Sequence, residues 1–166
     1  DRERIFEECL DLAREHGASV LGLGAYTSIV NDGGNALRGR GFSLTSGNAL
    51  TAVAGVRRLA AACTARGSEI ARERVAVVGA GGSVGRAAAL LVARDAGALC
   101  CVGNPAGGQS ARKRLDQVLA EVCGWLSKWA GDRSIPGGAL LARVRELKAS
   151  LDDESAQLRR LAPGIV

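Results

Sequence analysis

The stretch that most constrains this chain runs Arg74-Val75-Ala76-Val77-Val78-Gly79-Ala80-Gly81-Gly82-Ser83-Val84-Gly85-Arg86-Ala87-Ala88-Ala89-Leu90-Leu91. A β-branched apolar run, a cluster of glycines and an Ala/Leu-rich tract follow one another without a break. That order predicts a short strand, a tight turn and a helix, the opening of a dinucleotide-binding β-α-β unit. Val75, Val77 and Val78 suit a strand buried on both faces of a parallel sheet. The glycines let the chain reverse sharply and let a pyrophosphate approach the backbone. The helix start aims unpaired N–H groups and its positive dipole end at that phosphate.

The strict G-x-G-x-x-G spacing is not met, because Val84 stands where the third glycine would fall. The chain offers Gly79, Gly81, Gly82 and Gly85 instead. Candidate pyrophosphate contacts are therefore Gly79, Gly81, Gly82, Ser83, Val84 and Gly85. The bland alternative is a strand-to-helix turn that binds nothing.

The helix after the turn is expected to reach Arg94, with Gly97 closing it and Ala98-Leu99-Cys100-Cys101-Val102 forming the second strand. The end of that strand bears on cofactor choice. An NAD-binding unit places an acid about 20 residues past the first glycine, on the ribose hydroxyls. Here the chain reads Val102-Gly103-Asn104-Pro105, with no acid between Asp95 and Asp116, and Arg112, Lys113 and Arg114 follow. A carboxylate would repel a 2′-phosphate, whereas an amide and cationic groups bind it. NADP is favoured over NAD, with Asn104, Arg112 and Lys113 on the adenosine phosphate. A solvated helix start is the competing reading of residues 112–114.

At 166 residues the chain has room for one domain or a domain and part of another. It begins at Asp1 without Met and stops just after a helical pattern, so a piece of a longer protein is expected. Apolar residues make up 47% and aromatics only 3%, so the core must be built from Ala, Val and Leu. The net charge of +5 comes mainly from arginine. It fits a solvated surface or an acidic partner, and no basic run interleaved with aromatics supports nucleic-acid binding. No apolar run approaches the roughly 18 residues of a membrane span, and no signal-peptide pattern opens the chain. The five cysteines include no C-x-x-C pair and their number is odd. A disulfide framework or a zinc site is disfavoured, and a reducing, cytoplasmic setting is expected. With His16 the sole histidine, a histidine-centred triad or a multi-His metal site is nearly excluded, and no metal is expected.

Residues 2–16 predict a helix with Ile5, Cys9 and Leu12 on its apolar face and Gly17 as its C-cap. Residues 18–23 predict a short strand. Beyond it, Tyr26, Thr27 and Ser28 form a polar cluster that suits a ligand cleft or ordinary turn chemistry. Thr45, Gly47, Asn48 and Thr51 surround the start of a helix expected over about 49–65, with Asn48 or Ser46 as N-cap. An amphipathic helix over about 110–130 carries Leu115, Val118, Leu119, Val122, Leu126 and Trp129, with Trp125 and Trp129 read as packing anchors. A loop over 131–138, a helix over about 139–151 and a last short helix from Asp152 to Leu161 complete the chain. No third strand is readable after residue 131.

Three blocks give the chain a resemblance to the cyanobacterial long-chain acyl-(acyl-carrier-protein) reductases, the aldehyde-forming enzymes of alkane synthesis. They are Leu23-Gly24-Ala25-Tyr26-Thr27-Ser28-Ile29-Val30, similar to LGGFTSII, and Leu44-Thr45-Ser46-Gly47-Asn48-Ala49-Leu50-Thr51, similar to FTTGNTHT. The third, Val75 to Gly85, is similar to VAVVGATGDIG and is shared by many dinucleotide-binding enzymes. Together they cover about residues 2–125. The resemblance implies reduction of a carrier-bound acyl thioester to a fatty aldehyde with NADPH, with acyl carrier protein as partner. It implies Tyr26, Thr27, Ser28, Thr45, Gly47, Asn48 and Thr51 on the acyl and nicotinamide cleft. The family's cysteine nucleophile lies well past the nucleotide loop, so none of the five cysteines here inherits the role, and the piece alone is expected to be inactive. The helical stretch at about 139–161 departs from the family pattern. Related reductase domains occur fused to aminotransferases, and this chain fits that setting too. A looser resemblance, to shikimate dehydrogenase, rests on a G-N-x-x-T helix start ahead of a G-A-G-G turn. Ala49 replaces that family's Asp, and no lysine precedes the nucleotide loop. A non-catalytic module that binds NADP or a partner protein is the remaining alternative.

The expected architecture is thus α/β, a Rossmann-type parallel sheet, incomplete, preceded by a small α/β substrate-side segment. The expected division is 1–47 substrate-side segment, 48–67 connecting helix, 68–131 first part of the NADP-binding domain, and 132–166 helical extension.

Overall fold

In the computed structural model, residues 2–24, 27 and 32–149 are described. The expected last helix and the residues Tyr26 and Ser28 lie outside them. The chain is mixed α/β and divides into two compact units, residues 1–48 and the chain from Ala49 onward.

The first unit comprises α1 (Arg2–Glu15), β1 (Val20–Gly22), a 3₁₀ turn (Asp32–Leu37) and β2 (Ser43–Thr45). Helix α1 ends in a Schellman motif: Ala18 N–H donates to Ala13 O and Gly17 N–H to Arg14 O. Gly17 takes the left-handed conformation, φ 69°, that the motif requires. Strands β1 and β2 pair in parallel, with Leu21 opposite Leu44. Leu10, Leu23 and Leu37 form the core, and Phe6, Leu21, Phe42 and Leu44 pack against it. The buried stripe of α1 is therefore Phe6–Leu10. The expected stripe of Ile5, Cys9 and Leu12 is exposed, with Ile5 and Leu12 each at 55%. The two stripes are one residue out of phase, and the one that closes the core carries the larger Phe6 ring. Across the unit, Arg40 Nη2 pairs with Glu7 Oε1 at 2.8 Å.

In the second unit α2 (Asn48–Ala65) leads through a 3₁₀ turn to β3 (Arg74–Val78), α3 (Ser83–Asp95) and β4 (Ala98–Val102). Helix α2 begins at Asn48 itself, one residue earlier than expected. Its end repeats the Schellman pattern, with Ser68 N–H on Cys63 O and Gly67 N–H on Thr64 O. Strands β3 and β4 are parallel and in register from Arg74 opposite Ala98 to Val78 opposite Val102. A second 3₁₀ turn (Pro105–Gly107) opens α4 (Gly108–Gly131), and α5 (Ala139–Ala149) follows. Each sheet thus has two strands, and helix, not strand, follows α4 among the described residues.

The core of this unit lies between the sheet and α3, α4 and α5. It includes Val75, Val92, Leu99, Cys101, Val118, Val122, Leu126, Leu141 and Val144, with Trp129 packed against it. Two expectations fail here. Strand β3 is buried on one face only: Val75 is covered, whereas Ala76 is exposed and Val78 is 79% exposed. A two-stranded sheet covers its Val75/Leu99 face with the helices of its own unit and leaves the other face open. Trp125 does not anchor packing either; it is 37% exposed, tilted against Trp129, with the Lys128 ammonium over its ring.

Helix α5 is locked to the end of α3. Gly138 N–H donates to Arg94 O at 2.9 Å and Leu140 N–H to Ala96 O at 3.2 Å. A Cβ at Gly138 would sit 2.3 Å from Asp95 O, so only glycine permits this approach. Among the described residues no helix is long and apolar enough to cross a membrane.

Candidate functional site

The glycine turn is built by the end of the sheet. Gly79 N–H and Ala80 N–H both donate to Val102 O, at 2.8 and 3.1 Å, so the turn is pinned to the last residue of β4. Gly79 has φ 79°, a conformation that disfavours any side chain. Gly82 N–H closes the turn on Gly79 O at 2.9 Å. Gly82 is the N-cap of α3, in extended conformation and without a side-chain cap. The ladder of α3 starts with Arg86 N–H on Gly82 O at 2.8 Å. The backbone of Ser83, Val84 and Gly85 therefore forms the positive helix end, and the first turn of α3 carries no acid.

Gly85 explains the irregular spacing. A Cβ there would lie 2.2 Å from Gly79 O and 2.8 Å from Gly79 C. The glycine that allows close packing of helix on strand end is thus Gly85, one residue later than the strict pattern, because Gly82 occupies the cap. The operative spacing is Gly79-x-x-Gly82-x-x-Gly85, and half-buried Val84 is no defect in it. Gly81 faces α4: a Cβ on it would meet Arg114 Cβ at 3.5 Å.

Two cavities flank the start of α4. One, of about 410 Å³, is lined by Gly81, Gly82, Ser83, Arg86, Arg114, Gln117, Val118 and Glu121. Arg86 forks onto Glu121, with Nε to Oε2 at 2.5 Å and Nη2 to Oε1 at 2.9 Å. The hydrogen bond from Arg86, and then its charge, hold the Glu121 carboxyl below its ordinary value. The other cavity, of about 440 Å³, sits at the end of β4. Gly103, Asn104, Pro105, Gly108, Gln109, Ala111, Arg112 and Leu115 line it. Asn104 Oδ1 accepts the Ala106 N–H at 3.0 Å, capping the 3₁₀ turn.

The structure therefore brings Gly81, Gly82 and Ser83 around one cavity and Asn104 with Arg112 around its neighbour. Lys113 lines neither. Helix α4 packs through Ala111, Leu115, Val118 and Val122, and at about 100° per residue position 113 falls opposite that stripe. Arg112 and Arg114 fall on its two flanks. Sequence reasoning passed over Arg86, Gln117 and Glu121, and placed Arg114 among the basic residues without a role. The phase of α4 was the signal that distinguishes Arg114 from Lys113.

On the substrate side, Thr45 Oγ1 accepts the Gly47 N–H at 3.2 Å, and Gly47 has φ 71°. Asn48 opens α2, and Thr51 lies exposed on its first turn. Thr27 Oγ1 donates to Gly24 O at 2.6 Å, the turn chemistry expected of such a residue.

The cysteines do not present a nucleophile. Burial pushes the Cys101 thiol up to about 11, with smaller contributions from Cys100 and Cys123, and burial also raises Cys123. A raised thiol is protonated and unreactive at neutral pH. Alkylation of the native protein at about pH 8 should label exposed Cys9 first and leave Cys101 unmodified until denaturant is added. Peptide mass mapping checks this; rapid native labelling of Cys101 would contradict the buried strand. Among the described residues no cluster of His, Cys, Asp or Glu could hold a metal ion.

No protein-family model matches this chain, and no curated protein matches it.

Proposed function

We propose that the chain is the nucleotide-binding part of an NADPH-dependent reductase that converts an acyl thioester to an aldehyde. The observation that carries the cofactor reading is Gly85. Its Cβ position is filled by Gly79 O, which holds an uncapped helix N-terminus over a glycine turn at the ends of two parallel strands. That arrangement fits a pyrophosphate, and the β-α-β unit is read as the start of a Rossmann-type sheet. The backbone of Gly79, Gly81, Gly82, Ser83, Val84 and Gly85 would hold the pyrophosphate. Arg112, beside Asn104 at the acid-free end of β4, would hold the 2′-phosphate. Lys113, on the opposite side of α4, drops out of that set.

When bound, the dinucleotide supplies hydride, so that thioester, NADPH and a proton give aldehyde, thiol and NADP. The thioester half of the reading rests on the resemblance of residues 23–30 and 44–51, with Thr27, Thr45, Gly47, Asn48 and Thr51 on the acyl side. In this reading an acyl carrier protein is the partner, and no cysteine described here is the nucleophile.

Arg112→Ala should weaken NADPH by about 1–3 kcal/mol, the range for a charged hydrogen bond, and leave NADH nearly unchanged. Fluorescence titration with both cofactors reads this directly, and equal losses would refute the phosphate role. For the reaction, the natural protein containing this sequence should oxidise NADPH only when a carrier-bound acyl thioester is present and should release the aldehyde. Tight NADPH binding with no thioester-dependent turnover would leave a binding module and overturn the reductase.

A further inference from the structure

The opposite end of α4 carries a basic cavity that the cofactor reading does not use. It measures about 480 Å³ and is lined, among the described residues, by Ala130, Arg133, Arg145, Lys148 and Ala149. Arg145 Nη2 donates to Ile135 O at 2.6 Å and to Asp132 O at 3.1 Å, and Lys148 Nζ donates to Ser127 O at 3.1 Å. Both cations thus lie across the carbonyl end of α4, where the helix dipole is negative. Those carbonyls fix the side chains in place but do not neutralise their charges. Arg145 Nε is buried with no hydrogen-bond partner, a donor that carries part of a charge and has nothing to receive it. The one carboxylate shown to sense Arg145 is that of Asp132. It accepts hydrogen bonds from Ser134 N–H and Oγ, which, ahead of Arg145, lower its pKa.

We propose that this cavity is an anion site for a small phosphate-bearing molecule, separate from the glycine turn. Three cations converge on one concavity. Two are held in fixed geometry by backbone, so little side-chain freedom is lost when an anion arrives. The third, Arg133, is an exposed residue of the α4–α5 loop and supplies the adjustable contact. Along α4 the site lies about 27 Å from Arg112 at 1.5 Å per residue, so the two positions take different anions. A site of this kind at the α4–α5 junction, remote from the cofactor, would serve recognition or regulation rather than hydride transfer.

The test is titration of the whole chain with inorganic phosphate at constant ionic strength, followed through tryptophan emission. The chain's two tryptophans are Trp125 and Trp129, and Trp129 is next to Ala130 of the cavity lining. The expected result is a saturable change that is at least tenfold weaker in Arg133→Gln and in Lys148→Gln and unaltered in Arg112→Gln. Arg133 makes no packing contact in the core, so its variant keeps the test valid should Lys148→Gln fail to fold. Unchanged binding in Arg133→Gln, or no saturation, would overturn the proposal and leave Arg145 and Lys148 as caps of α4. Loss only in Arg112→Gln would assign the phosphate to the cofactor site, supporting that reading and refuting this one. Binding seen only after Asp152→Asn, Asp153→Asn and Glu154→Gln are combined would make the chain's own acidic run the occupant, and would also overturn it.

Discussion

Gly85→Ala should cost about 3 kcal/mol of stability, the upper part of the range for overpacking, and should abolish NADPH binding in the fraction that stays folded. The cause is local and rigid. The new methyl would sit 2.2 Å from Gly79 O and 3.0 Å from Ala80 Cα. Both neighbours are backbone, and both residues are hydrogen-bonded to Val102 O. The turn cannot yield without breaking from β4, so α3 must tilt away and its N-terminus moves off the phosphate position. Gly82→Ala is the natural control. Its Cβ would meet only Gly79 O, at an ordinary 3.4 Å, and it should lose far less stability. Denaturant melts of the two variants read the difference, and equal stabilities would contradict the packing assigned to Gly85.

Leu141→Ala should destabilise the second unit by about 2–5 kcal/mol, as large-to-small changes at fully buried sites do. Leu141 is 0% exposed and belongs to the same cluster as Val92, Leu99 and Leu126. Helix α5 is bonded to the last carbonyls of α3, so the core has no easy way to collapse into the cavity. The result matters because α5 stands where the sequence suggested an extension or insertion. A large loss makes it an integral wall of the nucleotide-binding unit. A loss under about 1 kcal/mol, the size expected at a poorly packed site, would make α5 an appendage.

Much of the second unit was legible because its signals are local. Glycine punctuation at 79–85 and 97, with β-branched residues on either side, placed β3, α3 and β4 to within a residue. Periodicity placed α4 and α5, and Gly17 and Gly67 marked two helix ends that the structure closes with Schellman bonds. What stayed hidden depends on which neighbours exist. Val78 reads as a core valine, yet it lies on the sheet face that no helix of the unit covers. Ile5–Cys9–Leu12 and Phe6–Leu10 are both acceptable apolar stripes, and only the shape of the small first core selects the second.

The candidate site shows the same division. The glycines were visible by type, but their roles were not, because spacing alone does not reveal that Gly82 caps α3 and shifts the close-packing position to Gly85. The basic cluster at 112–114 was visible as charge. Its useful members depend on the phase of α4, which sets Arg112 and Arg114 beside the two cavities and turns Lys113 away.

The central claim is that the Gly79–Gly85 turn holds the phosphates of a dinucleotide, and calorimetric titration of this chain with NADPH tests it most directly, run beside a Ser83→Asp variant. Aspartate at the first position of α3 complements the helix dipole and should leave or slightly raise thermal stability, while placing a negative charge where the pyrophosphate sits. The account predicts one-to-one binding of NADPH well below millimolar, tighter than NADH, and at least tenfold weaker in the variant. No binding below millimolar, or equal affinity in a folded Ser83→Asp protein, would contradict it.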